Sequence, residues 1–210
     1  MTNLGIYKRA RLNYNVVVNK MDYAEIIDEL TKRLSPKRLR HSIGVSQTAE
    51  SLAVRFNCDK EKSRLAGILH DLAREVPLNE LLPRTQAFGI VVCDIERIEL
   101  VLLHAPLAAK MAQAEFGIDD PEIMQAILLH TTGGLNMTLL DKIIYLADVI
   151  EPGRSFKGVD KIRKLARTDL DKALLSALDQ SICYIVTRGG LLHPGTIAAR
   201  NEILQKNSTY

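Results

Sequence analysis

Leu65–Glu75 reads LAGILHDLARE, and this stretch determines how the rest of the chain is interpreted. Its apolar residues have the spacing of a buried helix, which we expect to continue through the whole stretch. His70 and Asp71 stand side by side within that apolar run. Burying an imidazole and a carboxylate costs free energy unless something pairs with them. The interior therefore has to supply a partner for both groups, unless the pair faces water.

The composition is that of a soluble globular domain. The chain has 210 residues, of which 47% are hydrophobic and 25% are charged, and this length suits one domain with or without an appendage. The net charge of +3 does not require nucleic acid, and we expect no specific nucleic acid as a partner. No run of about 18 apolar residues occurs, so we expect no membrane span. No secretory signal is recognisable, and we expect a cytoplasmic protein.

The three cysteines, Cys58, Cys93 and Cys183, are far apart and contain no CxxC pair. This spacing indicates neither a disulfide framework nor a thiolate zinc site. We expect all three to be small buried residues in a reducing compartment.

Helical periodicity runs from Met21 to the end of the chain, and strand signals are nearly absent. We therefore predict an all-α fold in a single domain covering residues 21–210, with residues 1–20 as an N-terminal tail or appendage. Helix starts are indicated by cap residues, by proline at the first helical position and by a capping box. These signals lie at Ser35-Pro36, at Asp120-Pro121 and at Thr138 with Asp141.

Four histidines and two aspartates fall on inward faces or ends of five predicted helices. They are His41, His70, Asp71, His104, His130 and Asp148. A metal centre would satisfy all six, and nitrogen and carboxylate ligands without thiolate suit iron, manganese or zinc. Six ligands exceed one tetrahedral zinc and fit two metals, with Asp71 as a bridge. Water activated between two such metals can attack a phosphoester or phosphoanhydride.

The pattern H…HD…D, formed by His41, His70-Asp71 and Asp148, resembles the signature of HD-domain metal-dependent phosphohydrolases. The intervening His104 and His130 resemble the subset that holds two metals. Six stretches also resemble, in order, the bacterial YqeK family, and the resemblance covers residues 22–205. These stretches are RLRHSIGVSQTAESLA, AGILHDLAREVP, LLHAPLAA, AILLHTTG, DKIIYLADVIEPGR and LLHPGTIAARN.

This resemblance implies an HD-domain-like helical bundle with a buried metal centre. It also implies a symmetrical bis(5'-nucleosyl)-tetraphosphatase, which hydrolyses diadenosine tetraphosphate to two ADP at an iron centre and forms a homodimer. The centre would be di-iron or mono-iron, with manganese or zinc as alternatives. In this family, nucleotides such as dinucleoside polyphosphates are the partners.

The resemblance implies a role for each ligand. His41, His70, Asp71 and Asp148 would hold the first metal, and Asp71 would bridge to a second metal on His104 and His130. The alternative is a single metal, in which case His104 and His130 would bind phosphate or act as acid catalysts. The catalytic candidates are Asp71, His104, His130 and Arg74.

Several further residues are candidates for binding substrate. Arg74 follows His70 by one helical turn, and we expect its guanidinium to hold a phosphate. Arg154 fits a second phosphate clamp, since a polyphosphate needs several cations. A surface salt bridge is the alternative for both arginines. Thr132 could offer a hydroxyl to a nucleotide, whereas His193 is expected to cap or support a helix.

Two other functions remain open from the sequence. One is a different HD-type phosphohydrolase that acts on a nucleoside mono-, di- or triphosphate. The other is a non-catalytic nucleotide sensor with a structural metal. The ligand set is the same in all three cases, so a substrate panel and the substitution Asp71→Ala are needed to separate them.

Overall fold

The computed structural model describes residues 21–207, and the predicted tail at residues 1–20 lies outside this range. The described residues form helices and contain no strand, which confirms the predicted all-α class. None of these helices is both long and apolar enough to span a membrane. The α-helices are α1 Tyr23–Arg33, α2 Pro36–Phe56, α3 Lys60–Leu69, α4 Leu78–Ala87, α5 Asp94–Ile98, α6 His104–Phe116, α7 Pro121–Leu129, α8 Leu139–Ile150, α9 Val159–Leu165, α10 Leu170–Thr187 and α11 Pro194–Asn207, and a 3₁₀-helix covers Leu100–Leu103.

The predicted cap residues start the helices as expected. The Ser35 hydroxyl accepts a hydrogen bond from the backbone of Arg38 at the start of α2. The Asp120 carboxylate accepts from two backbone amides at the start of α7. Thr138 and Asp141 form a capping box at the start of α8. Each cap satisfies amides that lack partners within the helix, and so fixes where three of the site-bearing helices begin.

Helices α2, α3, α7 and α8 pack against one another around the hydrophobic core. Val45, Leu69, Ile127 and Ile144 are fully buried there. The approach of α2 to α3 depends on Gly67, because a Cβ at this position would lie 2.8 Å from the Cα of Ser46. This close approach brings the first half of α2 beside the end of α3, where the histidine and aspartate pair follows.

The prediction of one continuous helix through LAGILHDLARE is wrong. Helix α3 ends at Leu69, and residues 70–75 form turns. The amide of Leu72 donates to the carbonyl of Leu69 at 3.0 Å, and the amide of Arg74 donates to the carbonyl of Asp71 at 2.9 Å. These hydrogen bonds span three residues rather than four, so the chain tightens and leaves the α-helical path.

The prediction that all three cysteines are buried is also wrong. All three are free thiols, but Cys93 and Cys183 are exposed and Cys58 is partly buried. Cys93 lies at the N-cap of the short helix α5, and Cys183 lies in the second half of α10, where neighbouring positions face solvent.

Candidate metal centre

The six predicted ligands meet at one buried point. His41 comes from α2, His104 begins α6 and Asp148 lies in α8, while the other three directly follow the ends of α3 and α7. The His41 Nε2 atom lies 3.0 Å from Asp148 Oδ1. Such a meeting of imidazole and carboxylate groups from five helices provides donor atoms of the kind that hold divalent metals.

Asp71 lies in the middle of the cluster, and its two oxygens face opposite halves. Oδ2 is 3.6 Å from Nε2 of His41 and 3.4 Å from Nε2 of His70. Oδ1 is 3.3 Å from Nε2 of His104 and 3.8 Å from Nε2 of His130. This placement is the one that a bridging carboxylate requires. We call the side with His41, His70 and Asp148 the first half, and the side with His104 and His130 the second half.

Three of the histidines are oriented by the same type of hydrogen bond to a nearby backbone carbonyl. His70, His104 and His130 each directly follow the last residue of a helix, in the sequences ILH, LLH and LLH. Each donates a hydrogen bond from Nδ1 to the carbonyl three residues earlier, at 2.7, 2.5 and 2.7 Å respectively. The Gly67 and Ile127 carbonyls are free for this bond because α3 and α7 end there, whereas the Val101 carbonyl also accepts the backbone amide of His104. The three hydrogen bonds hold each ring with Nε2 pointing into the centre.

This orientation provides a test of whether the residues fit a metal. With the Nδ1 proton donated to a carbonyl, each neutral ring has only a lone pair at Nε2. The Nε2 atoms of His104 and His130 nevertheless face each other at 3.1 Å. The Thr131 hydroxyl lies within 3.2 Å of both, and its one proton can satisfy only one of them. Two lone pairs directed at one buried point require a cation, so the residues fit a metal.

Charges and burial within the cluster shift the pKa values of His70 and His130 in opposite directions. Burial opposes the charging of His70, but the Asp71 carboxylate outweighs it and raises the pKa of His70. Burial, together with His70 and His104, lowers the pKa of His130 to about 3. The pKa values of both Asp71 and Asp148 are lowered, because the surrounding histidines outweigh the effect of burial. Of His70 and His130, His70 is therefore the ring that takes up a proton first as the pH falls.

Two residues at the centre were missed from the sequence. Arg38 donates to Asp71 Oδ2 at 2.5 Å, and Glu151 accepts a hydrogen bond at 3.1 Å from His41. Of the two threonines that follow His130, Thr131 rather than Thr132 contacts the second half. The available signal was spacing, since Arg38 precedes His41 by three residues and Glu151 follows Asp148 by three.

The other predicted site residues lie at different places. Arg154 donates to both the backbone and the carboxylate of Asp148, so it is paired beside the centre. Arg74 is partly buried, and within residues 21–207 its guanidinium has no hydrogen-bond or ion-pair partner. The Thr132 hydroxyl donates to the Gly133 carbonyl. His193 Nδ1 accepts a hydrogen bond from the Gly195 amide at the start of α11, as expected for a capping residue.

Two cavities reach the centre and share Arg154 and Phe156 in their walls. The first, of about 740 Å³, is lined by His41 and, besides Arg154, by the cations Lys37, Arg38 and Arg40. The second, of about 600 Å³, includes Thr131 and Thr132 and is otherwise formed mainly by apolar and aromatic side chains together with Gln180, Tyr184 and His193. The first cavity therefore includes His41 of the first half, and the second includes Thr131, which contacts both histidines of the second half.

The HD domain family model matches residues 38–153, more than half of the chain. The chain belongs to the HD domain family. All six clustered residues of this HD-domain protein fall within the matched range, as do Arg38 and Glu151. The HD-domain resemblance drawn from His41, His70-Asp71 and Asp148 is therefore confirmed.

Two relatives of this HD-domain protein have the same activity in their names. Proteins named symmetrical bis(5'-nucleosyl)-tetraphosphatase from Halalkalibacterium halodurans and Bacillus subtilis are 39% and 37% identical, each over 88% of this chain and 98% of theirs. A solved structure from Clostridium acetobutylicum, described as a predicted HD superfamily hydrolase involved in NAD metabolism, aligns with a TM-score of 0.87 at 44% identity. That alignment covers 90% of this chain and 100% of the other. The protein is therefore an HD-domain phosphohydrolase with a His/Asp metal-binding cluster.

Proposed function

We propose that this HD-domain phosphohydrolase cleaves diadenosine tetraphosphate symmetrically into two ADP by direct attack of water. The observation that carries the proposal is the buried cluster in which Asp71 faces all four histidines. The relatives named for this activity support the choice of substrate. When bound, divalent metal at the cluster would supply an activated water and withdraw charge from a phosphoryl oxygen. We propose iron as that metal.

The residues of the chain would share the remaining work. His41, His70, Asp71 and Asp148 would hold one metal, and His104 and His130 would complete a second position or contact phosphate. Arg154 lies against Asp148, so its guanidinium is placed to neutralise charge on the phosphoryl group as the bond breaks. Arg74 has no partner within the described residues and stays a candidate for a more distant phosphate.

The two cavities support a dinucleoside polyphosphate. The cavity with Lys37, Arg38 and Arg40 has a concentration of positive charge that suits phosphates. The cavity with Tyr184 and Gln180 offers apolar and hydrogen-bonding surface that suits a nucleobase. Because both reach the centre, a substrate lying across the metals would extend into each of them.

The test is to incubate protein loaded anaerobically with Fe²⁺ with diadenosine tetraphosphate and separate the products by chromatography. ADP as the sole nucleotide product is expected. ATP together with AMP would contradict symmetrical cleavage. No turnover with Fe²⁺, Mn²⁺ or Zn²⁺ would contradict the enzyme proposal. A panel of nucleoside mono-, di- and triphosphates tests the alternative substrates, which should turn over more slowly.

We further propose a cytoplasmic homodimer whose catalytic domain begins near residue 21. Light scattering of the full chain tests the dimer, and elemental analysis of anaerobically purified protein tests iron. A monomeric mass, or manganese or zinc in place of iron, would contradict the respective proposal.

A further inference from the structure

Glu151 is a buried carboxylate at the end of α8 that the ligand set does not include. Its Oε1 atom accepts a hydrogen bond at 3.1 Å from Nδ1 of His41. Its Oε2 atom accepts one at 2.5 Å from the amide of Gly153. Only 5% of the residue is exposed, so both oxygens are committed to these two donors.

The backbone at two glycines approaches the Glu151 carboxylate closely. A Cβ on Gly44 in α2 would lie 2.8 Å from Glu151 Oε2, and one on Gly153 would lie 2.9 Å from Oε1. Both positions are glycine, so the carboxylate is enclosed by bare backbone on two sides. Side chains at either position would push Glu151 away from His41.

Hydrogen bonds from Arg163 also hold the loop that carries Glu151. Arg163 in α9 donates hydrogen bonds to the carbonyls of Ile150, Glu151 and Arg154, at 3.0, 2.9 and 2.8 Å. One guanidinium therefore fixes the backbone on both sides of Glu151. The carboxylate is placed by its cage and by its loop, independently of His41.

His41 consequently differs from the other three histidines. Their Nδ1 atoms donate to neutral backbone carbonyls, whereas that of His41 donates to an anion. A carboxylate partner fixes the ring and makes the opposite nitrogen a stronger donor to a metal. The first half also has Asp148, while the second half has only Asp71 as a charged ligand. Negative charge is therefore concentrated on one side of the centre.

We propose that Glu151 is a positioning residue for His41 that makes the first half of the centre the tighter of two unequal metal positions. This proposal rests on the metal dependence proposed above. Metal would fill the position at His41, His70 and Asp148 first and the position at His104 and His130 only at higher concentration. Glu151 itself would not touch the metal, because both of its oxygens are held by other donors.

The experiment is a titration of the full-length, metal-free protein with Mn²⁺, in which free Mn²⁺ is counted by its electron paramagnetic resonance signal. The unmodified protein should show a tight and a weak class of sites. Glu151→Gln, which keeps the shape and loses the charge, should weaken the tight class by about 10- to 100-fold and leave the weak class unchanged. His104→Ala should remove only the weak class.

Two further variants separate positioning from general stability. Asp141→Asn removes another buried carboxylate of α8, which pairs with Gln125 and caps its own helix, and should leave both classes unchanged. Gly44→Ala should weaken the tight class like Glu151→Gln, because its methyl group displaces the carboxylate. Circular dichroism checks that each variant is folded.

A single class of sites in the unmodified protein, or an unchanged tight class in Glu151→Gln, would overturn the inference. An equal loss in Asp141→Asn would assign the effect to stability and overturn it as well. These results leave turnover of diadenosine tetraphosphate by the unmodified protein unaffected, so they are distinct from a failure of the proposed function. Absence of turnover with any metal would instead refute that function.

Discussion

At the scale of single residues, the centre depends on which ring nitrogen of each histidine carries the proton as well as on where the side chains lie. Three imidazoles give their Nδ1 protons to carbonyls, so their Nε2 lone pairs point inward without a choice of tautomer. Asp71 then contributes one oxygen to each pair of histidines. The cluster therefore presents its donor atoms before any metal arrives.

Asp71→Ala tests the central carboxylate. Because Asp71 is the residue that faces both halves, we expect its loss to weaken metal binding by more than the roughly 100-fold that losing an outer partner costs. Turnover should be lost together with the metal. The measurements are Mn²⁺ titration and product chromatography. Asp179→Ala, which removes a surface ion pair with Arg200, is the control and should change neither. Nucleotide binding without metal in Asp71→Ala would favour a sensor.

Metal affinity should depend on pH through His70. Asp71 overrides burial and raises the pKa of His70 above 6.5, so a proton occupies that ring as the pH falls and metal has to displace it. Affinity should therefore fall as the pH is lowered through the raised pKa. His130 does not compete above its pKa of about 3. Mn²⁺ titrations between about pH 6 and pH 8 measure this, and a flat profile would contradict it.

The stability of the metal-free protein should depend on pH in the opposite direction to its metal affinity. A raised pKa in the folded state means that the His70 proton stabilises the fold fully below the unfolded value of about 6.5. This contribution is lost as the pH rises through the folded pKa. Urea titrations of chelated protein at several pH values measure it. If the contribution of His70 to the free energy of unfolding increased above that pKa, the raised pKa of His70 in the folded protein would be contradicted.

At the scale of elements, the site depends on where helices stop. The turn after α3 releases the Gly67 carbonyl for His70, and the end of α7 does the same for His130 at Ile127. A continuous helix through LAGILHDLARE would have kept the Gly67 carbonyl bonded within the helix. The apolar spacing of that stretch does not reveal the ending, because the turn residues Leu72 and Ala73 are buried as well.

Gly67→Ala tests the contact between α2 and α3. Its methyl group would lie 2.8 Å from the Cα of Ser46 in α2, a backbone atom that cannot rotate away. We expect the free energy of unfolding to fall by about 1–3 kcal/mol and metal affinity to fall with it, since the two helices carry His41 and His70. Denaturant unfolding is the measurement. Gly134→Ala, whose methyl group meets only the mobile end of Leu129, should have little effect.

Sequence patterns predicted the elements and ligands that depend on local chemistry. The caps at Ser35, Asp120 and Thr138 were predictable because each acts on its own first turn. For Glu151 and Arg38 the sequence offered only their three-residue spacing from Asp148 and His41, because the partners that they bind lie 110 and 33 residues away. The pairing of Arg154 with Asp148 spans only six residues, but it requires the turn after α8, which the spacing does not specify.

At the scale of the whole molecule, the metal should contribute to stability. A ligand at 100 times its dissociation constant adds about 2.7 kcal/mol, which for a chain of this size corresponds to a rise in Tm of roughly 5–10 °C. Scanning calorimetry with Mn²⁺ and then with chelator measures the difference. Asp71→Ala should melt at the same temperature in both conditions. If chelator leaves the Tm of the unmodified protein unchanged, the prediction that only the folded protein binds the metal would be contradicted.

The ligands are spread along the chain from His41 to Asp148, and this has a consequence for synthesis of the protein. The ribosome releases the helices in order, and α8, which carries Asp148 and leads to Glu151, is the last of the five to emerge. Until then, a nascent chain can offer an incoming ion only part of its coordination sphere. Capture of the ion with all six donors therefore has to wait until α8 has emerged, and the loaded ion would mark a chain in which the five ligand-bearing helices have docked.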